Sequence, residues 1–236
     1  MIVVVFAIER EFKPWRARHD FHRAGSGWPA IYESTLGPSP VRVAICGIGA
    51  PRMAGAASRI FADADAVAVA GLAGALRSEY AIGDLLAARS VRRAGGAADD
   101  VALPAAPSLV AIASQCGSRV VDSFSTAERI VSRAAEKRRL TGDAVEMESY
   151  PIFREAARCG IPAVAIRTVG DAADEDLPFD FNEAIAEDGA LRKIVLLRQV
   201  LASPSRWPML ARFAAAQQRA LTGLARFLDR FVVAIS

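Results

Sequence analysis

Residues 66–76 read AVAVAGLAGAL. The run is apolar throughout, yet far short of the ~20 residues a helix needs to cross a bilayer. Its first five residues, AVAVA, show no polar face, the pattern of a strand buried on both sides. Gly71 and Gly74 follow at once. Further strand-like runs are IVVVFAI (2–8), VRVAIC (41–46), DLLAARSV (84–91), SRVVDSF (118–124), DAVEM (143–147) and AVAIRTV (163–169). Helical stretches lie between them: APRMAGAASRIFADA (50–64), PSLVAIASQCG (107–117) and ESYPIFREAARCG (148–160). The last two end on glycine, as helices often do. The alternation predicts an α/β domain of three αβα layers around a central mixed, largely parallel sheet. RRAGGAADDVALPAAP (92–107) reads as a loop, because small residues, glycine and proline dominate it.

The chain has 236 residues, 53% of them apolar, enough for one large core. Charged residues make up 23% with both signs mixed, a globular composition. A net charge of +3, with no zinc-finger spacing and no basic-aromatic patch, gives no case for nucleic acid. The opening MIVVVFAIEREF lacks a basic leader and reaches Glu9 at once, so it reads as a strand rather than a signal peptide. Cys46, Cys116 and Cys159 are scattered without a CxxC pair, which fits a reducing cytoplasm and three small buried side chains. Residues 1–186 are expected to form the main domain. Residues 187–236 are expected to be a basic helical extension packed on it, since 191–236 hold eight basic residues and one acid, Asp229.

In α/β sheets, ligands gather at the carboxyl ends of strands. Glu9 and Glu11 stand just after the first strand, Gly47 and Gly49 after VRVAIC, Gly71 and Gly74 after AVAVA, and Asp171 after AVAIRTV. DAVEMESY (143–150) adds Glu146, Met147 and Glu148. Singly, each has an ordinary structural reading. The G-x-G-A turn is not a nucleotide fingerprint, Asp171 suits a helix N-cap, Glu11 suits a solvated helix start, and VEMES suits a surface turn.

Together, in order and spacing, AIEREF, GIGAPRMAGAAS, AGLAGALRSEYAIGDLLAA, AVEMES and AIRTVGDAADEDLPFDF resemble the purine nucleoside phosphorylase and nucleosidase superfamily over residues 1–183. AAEK (134–137) before TGDAVEMES, and the later SRWPML, resemble the hopanoid-associated phosphorylase group within it; methylthioadenosine/adenosylhomocysteine nucleosidases are similar too. The resemblance implies cleavage of an N-ribosyl bond with release of adenine, from adenosylhopane in the first group. It implies Asp171 as the acid that protonates the leaving base and Glu11 as the group that activates an attacking water. It implies Glu148 as acceptor of ribose hydroxyl hydrogen bonds and Met147 as the apolar floor under the sugar, with Glu146, Gly49 and Gly71 beside them and Phe124 as a candidate to stack on the base. No metal or cofactor is implied. Phosphate is a candidate second substrate, with Arg10 and Arg52 as candidate cations, and the family usually assembles as dimers or larger. Three departures stand out, the first being Val69, where hexameric phosphorolytic relatives place an arginine. Leu72 occupies a position where many relatives carry serine or threonine. Gly170 replaces a hydroxyl residue that supports the aspartate in hydrolytic relatives.

LARFAAAQQRALTGLARFLDRF (210–231) puts Leu210, Phe213, Leu221, Leu224, Leu228 and Phe231 on one helical face. Arg212, Arg219, Arg226 and Arg230 fall near the other side. This helix either packs on the core or on a partner subunit, or it lies on anionic lipid at the inner membrane surface.

Overall fold

The computed structural model describes residues 1–95 and 101–235. The order begins β1 (Ile2–Phe6), α1 (Glu9–Arg16), β2 (His22–Arg23), β3 (Ala30–Leu36), β4 (Ser39–Ile45), α2 (Met53–Ile60) and β5 (Ala66–Ala75). It continues with β6 (Leu85–Arg93), β7 (Leu103–Pro104), α3 (Pro107–Gln115), β8 (Arg119–Thr126), α4 (Ala134–Lys137), β9 (Ala144–Glu146), α5 (Ser149–Arg158) and β10 (Ala163–Asp171). Then come α6 (Lys193–Ala202) and α7 (Trp207–Ile235), with short 3₁₀ turns at Asn182–Ala184 and Pro204–Arg206. The expected α/β alternation is present, and Gly117 and Gly160 take the left-handed backbone that ends α3 and α5. The segment expected as a loop carries the end of β6 and the short β7, and its residues 96–100 lie outside the described residues.

The sheet is mixed, but it is neither open nor largely parallel. Parallel pairings join β1 to β4 and β5, β5 to β10, and β8 to β6 and β9. Antiparallel ones join β3 to β2 and β4, β6 to β7 and β10, and β5 to β9. Because β10 pairs with both β5 and β6, strands β5, β10, β6, β8 and β9 close into a ring, and β1, β4, β3 and β2 extend from β5. The length of β5 permits the closure. Its first residues, Ala66–Val69, pair with β1, and further along Gly74 and Ala75 pair with β9 instead. Glycines relieve side-chain crowding where a strand changes partner in this way.

Helices α2 and α5 pack together, while α7 packs along β10 and β5 and against α1 and α3. The α7 face of Ala220, Leu221, Leu224, Phe227, Leu228, Phe231 and Val232 is buried. The apolar stripe that suited lipid docking is therefore mostly spent on the core. No helix among the described residues is long and apolar enough to cross a membrane. Of the cysteines only Cys46 is buried; Cys116 is partly exposed and Cys159 exposed, because each lies at the C-terminal end of a surface helix.

Asp229 clamps α7 to α1. It accepts hydrogen bonds from Trp15 Nε1 at 2.9 Å and Arg18 Nε at 2.8 Å, and lies 2.6 Å from His19 Nε2. Burial opposes its ionisation, but the donors of His19, Arg18 and Trp15 outweigh burial and hold its carboxyl below the ordinary value of 3.8. The folded state thus favours the ionised form, and that stability is present above pH 3.8 and lost as pH falls further. Asp229→Asn should lower the unfolding free energy at pH 7 by about 1–3 kcal/mol, as for hydrogen bonds to charged groups. In urea denaturation the gap to wild type should narrow only below that pH.

Candidate active site

Three chain segments bring carboxylates to one cavity of about 230 Å³. The first is the β1–α1 junction. Glu11 stands in the first turn of α1 and folds back, so that its carboxylate accepts from the Ala7 and Ile8 amides at 3.2 and 3.4 Å. Its other oxygen accepts from the Leu72 amide of β5 at 2.8 Å. Burial raises its pKa, while Arg167 and the backbone donors pull the other way. Gly71 makes the approach possible, since a Cβ there would lie 2.6 Å from both Glu11 Oε1 and Arg167 Nη1.

The second segment is β9–α5. Glu146 and Glu148 both meet Arg167, which projects from the middle of β10 and is buried. The two glutamates have different tasks. Glu146 Oε2 accepts from the Glu148 amide at 2.9 Å, the Ser149 amide at 2.8 Å and Ser149 Oγ at 2.9 Å, and pairs with Arg167. Its other oxygen accepts from Thr126 Oγ1. It caps α5 and anchors the guanidinium, leaving little capacity for a ligand. Glu148 Oε1 accepts from the Gly49 amide at 3.0 Å, and its Oε2 lies 3.1 Å from Arg167 Nη2. Burial pushes the Glu148 pKa up to about 7, against the pull of Arg167 and with added repulsion from Glu146 and Glu11.

The third segment is the end of β10. Asp171 pairs in register with Gly74, where a Cβ would come within 2.8 Å of Asp171 Oδ2. The buried Lys137 of α4 donates to Asp171 Oδ2 and to the Ala172 carbonyl, each at 2.5 Å, and to the Glu175 carbonyl at 3.2 Å. Burial raises the pKa of Asp171, and the Lys137 charge opposes the rise.

Glu11, Glu146, Met147, Glu148 and Asp171 all line the cavity, with Leu72 and Gly74. Gly49 and Gly71 act one step back, through Glu148 and Glu11. Phe124 does not join them. It is fully buried in the hydrophobic core and does not line the cavity. Of the two candidate cations, Arg10 lines the cavity, whereas Arg52 stacks over Trp28 and reaches toward Asp188 at 3.7 Å. Arg167, Lys137 and Gln217 went unassigned from sequence. A lone arginine inside AVAIRTV was the available signal for Arg167, since buried charge demands partners. Gln217 reaches the cavity from α7 and passes close to Gly170, and only the tertiary fold puts it there.

A titratable acid and a carboxylate pair fixed by a guanidinium thus line one cavity. The chain belongs to the Phosphorylase superfamily, whose model matches residues 1–202. A 5'-methylthioadenosine/S-adenosylhomocysteine nucleosidase from Shewanella halifaxensis (strain HAW-EB4) is 42% identical over 60 residues, a stretch covering 24% of this chain and 26% of that relative's length. The futalosine hydrolase mutant of Helicobacter pylori strain 26695 superposes with a TM-score of 0.75 at 17% identity, over 98% of both chains. The 5'-methylthioadenosine/S-adenosylhomocysteine nucleosidase from Neisseria meningitidis in complex with methylthio-immucillin-A gives a TM-score of 0.73 at 21% identity, over 98% of this chain and 97% of that one. At such identities the likeness of the solved structures speaks for the fold.

The raised pKa of Glu148 makes a stability prediction. Between its ordinary value of 4.5 and about 7 the folded chain holds a proton that the unfolded chain has lost, so stability falls as pH rises through that window. Glu148→Gln removes the titration. Relative to wild type, the variant should gain about 1–3 kcal/mol between pH 5 and pH 8, at ~1.4 kcal/mol per pKa unit. Urea unfolding at the two pH values measures the gain; an unchanged gap would mean that Glu148 ionises in the ordinary carboxylate range.

Proposed function

We propose that this protein cleaves the N-ribosyl bond of an adenosyl-type nucleoside with water and releases adenine. The observation that carries the reading is the convergence of Asp171, Glu148, Met147 and Glu11 on one cavity. In the proposed reaction Asp171 gives its proton to the base, at N7, as the C1′–N9 bond breaks. The electron pair leaves with adenine, and the sugar acquires oxocarbenium character. Glu148 accepts hydrogen bonds from the ribose hydroxyls and, with Glu11, opposes the developing positive charge. Glu11 takes a proton from the water that attacks C1′.

Water is the better nucleophile on charge grounds. Glu11, Glu146 and Glu148 face one buried cation, Arg167. A phosphate dianion placed beside their ionised forms would be repelled, with Arg10 and Arg129 of the lining as the cations to offset it, and Leu72 brings no hydroxyl to hold it. Lys137 fills the structural role of the hydroxyl missing at Gly170, holding Asp171 from the far side of the cavity wall; we assign it as a positioning residue.

The 5′ side of the substrate is proposed to be bulky and apolar, as in adenosylhopane, which would place the reaction in hopanoid lipid assembly. The rest of the cavity lining is largely apolar, with Ile130, Val131, Leu177, Phe181, Leu191 and Phe213. The stretch shared with the S. halifaxensis nucleosidase favours a second reading, methylthioadenosine or adenosylhomocysteine as substrate. Rates on 5′-alkylthio adenosines of rising chain length, with adenine quantified and phosphate present or absent, separate the readings. Rising kcat/KM with chain length, with or without phosphate, is expected. A preference for the methylthio compound would favour the second reading, and dependence on phosphate would refute hydrolysis.

Asp171→Asn should lower kcat by about 10²–10⁴-fold, the usual range for general acid catalysis. Near-wild-type adenine release from a folded variant would remove Asp171 from this role. Lys137→Met should lower kcat and also move the high-pH limb of the kcat profile upward, because Asp171 loses the cation that opposes its raised pKa. A purely structural lysine would lower the rate without moving the limb.

A further inference from the structure

We propose that the corner formed by α6 and the start of α7 docks on an anionic bilayer surface and is the side from which the nucleoside enters. The role in entry rests on the apolar 5′ group proposed above; the docking surface does not.

Helix α6 has no buried residue. Ile194, Leu197 and Leu201 are 69%, 57% and 58% exposed, and their spacing puts them on one face. Trp207 and Met209, 48% and 46% exposed, extend the patch across the corner. At 100° per residue, Lys193 and Arg198 flank that face on either side. Leu196 and Gln199 fall on the opposite face, turned to the protein body: Leu196 lines the cavity, and Gln199 donates to the Asp180 carbonyl and to Glu183 at 3.2 and 3.1 Å. Trp207 Nε1 donates to the Val200 carbonyl at 2.8 Å and Arg206 Nη1 to the Pro178 carbonyl at 3.0 Å, so the corner is held in place. One thin layer of chain thus has the apolar cavity wall of Leu191, Leu196 and Phe213 on its inside and an uncovered apolar face on its outside.

Charge selects the occupant. Residues 191–213 contain Arg192, Lys193, Arg198, Arg206 and Arg212 and no acid. A second copy of this chain meeting the patch across a two-fold axis would set like charges against each other. A bilayer with anionic headgroups accepts both parts: aliphatic side chains and a tryptophan at the acyl boundary, cations at the headgroups. Each Lys or Arg near such a surface adds on the order of 1 kcal/mol, and the attraction is screened by salt.

Co-sedimentation with phosphatidylcholine vesicles, with and without phosphatidylglycerol, tests the proposal on the full chain. Wild type should pellet with the anionic vesicles at low salt and be released as salt rises. The double variant Leu197→Glu with Leu201→Glu changes two exposed residues outside the cavity lining. It should lose vesicle binding by at least about tenfold, as two apolar contacts become anionic, while cleaving a soluble adenosine analogue at the wild-type rate. Wild type remaining in the supernatant at low salt, or a variant that pellets equally well, would overturn docking at this corner. Wild-type dimers in light scattering that the variant dissolves, without vesicle binding, would assign the face to a second copy and overturn it too. Adenine release from the soluble analogue is read separately. Docking without adenine release would sink the enzymatic reading and leave the docking surface supported.

Discussion

A guanidinium with almost no solvent contact has to be met by carboxylates, and Arg167 is met by Glu146 and Glu148 with Glu11 close by. Stranding any member of such a cluster leaves an uncompensated buried charge, which is far costlier than the cluster is stabilising. The cluster therefore constrains three places at once: the first turn of α1, the β9–α5 junction and the middle of β10. Glu146 carries most of the structural side of this arrangement, as cap of α5 and partner of Arg167. That frees Glu148 to face the cavity with a proton affinity shifted toward neutrality. Gly71 follows from the same constraint, because β5 must pass within a hydrogen bond of Glu11 while Arg167 lies beside it.

The other pole of the cavity obeys the same rule with different partners. Asp171 is partly buried at the end of β10, where it meets one lysine that also donates to two backbone carbonyls. The two groups shift carboxyl proton affinities by a shared cause, burial; one cation opposes it at each, Lys137 at Asp171 and Arg167 at Glu148, and Glu148 alone also meets repelling carboxylates, Glu146 and Glu11. Sites that need one acid and one base at the same pH are commonly built this way. On the proposed reading, the acid sits with the base of the nucleoside and the carboxylate pair with its sugar.

The region after β10 gives the molecule its asymmetry. Along α7, the stripe from Ala220 to Val232 is consumed by the core, and Asp229 ties it to α1. Upstream, α6 and the first two turns of α7 supply cavity wall on one side and leave apolar residues uncovered on the other. The single basic helical tail of the sequence is thus two functional pieces, one that packs and one that is proposed to meet lipid.

Local pattern determined most of the strands and most helices of this protein. Continuous apolar runs such as AVAVA can only be buried, and glycines 117 and 160 mark where helices must stop. The candidate residues at strand ends were legible because in such sheets the carboxyl ends converge, and Glu11, Met147, Glu148 and Asp171 do meet. Short amphipathic pieces carried no comparable signal: the β2–β3 hairpin and α1 form because the core of Phe12, Trp15, Phe21 and Tyr32 assembles around them. Closure of the sheet lay beyond local pattern, since a strand's apolar run is the same whether its neighbour is parallel or antiparallel. Phe124 shows the limit for function, because an aromatic suited to stacking on a base is equally suited to a core, and only the packed fold shows that it lies in the core. Lys137 and Arg167 show it for electrostatics. Their partners lie 34 residues away at Asp171 and 19 to 21 away at Glu148 and Glu146, so only the folded chain reveals which charges must balance.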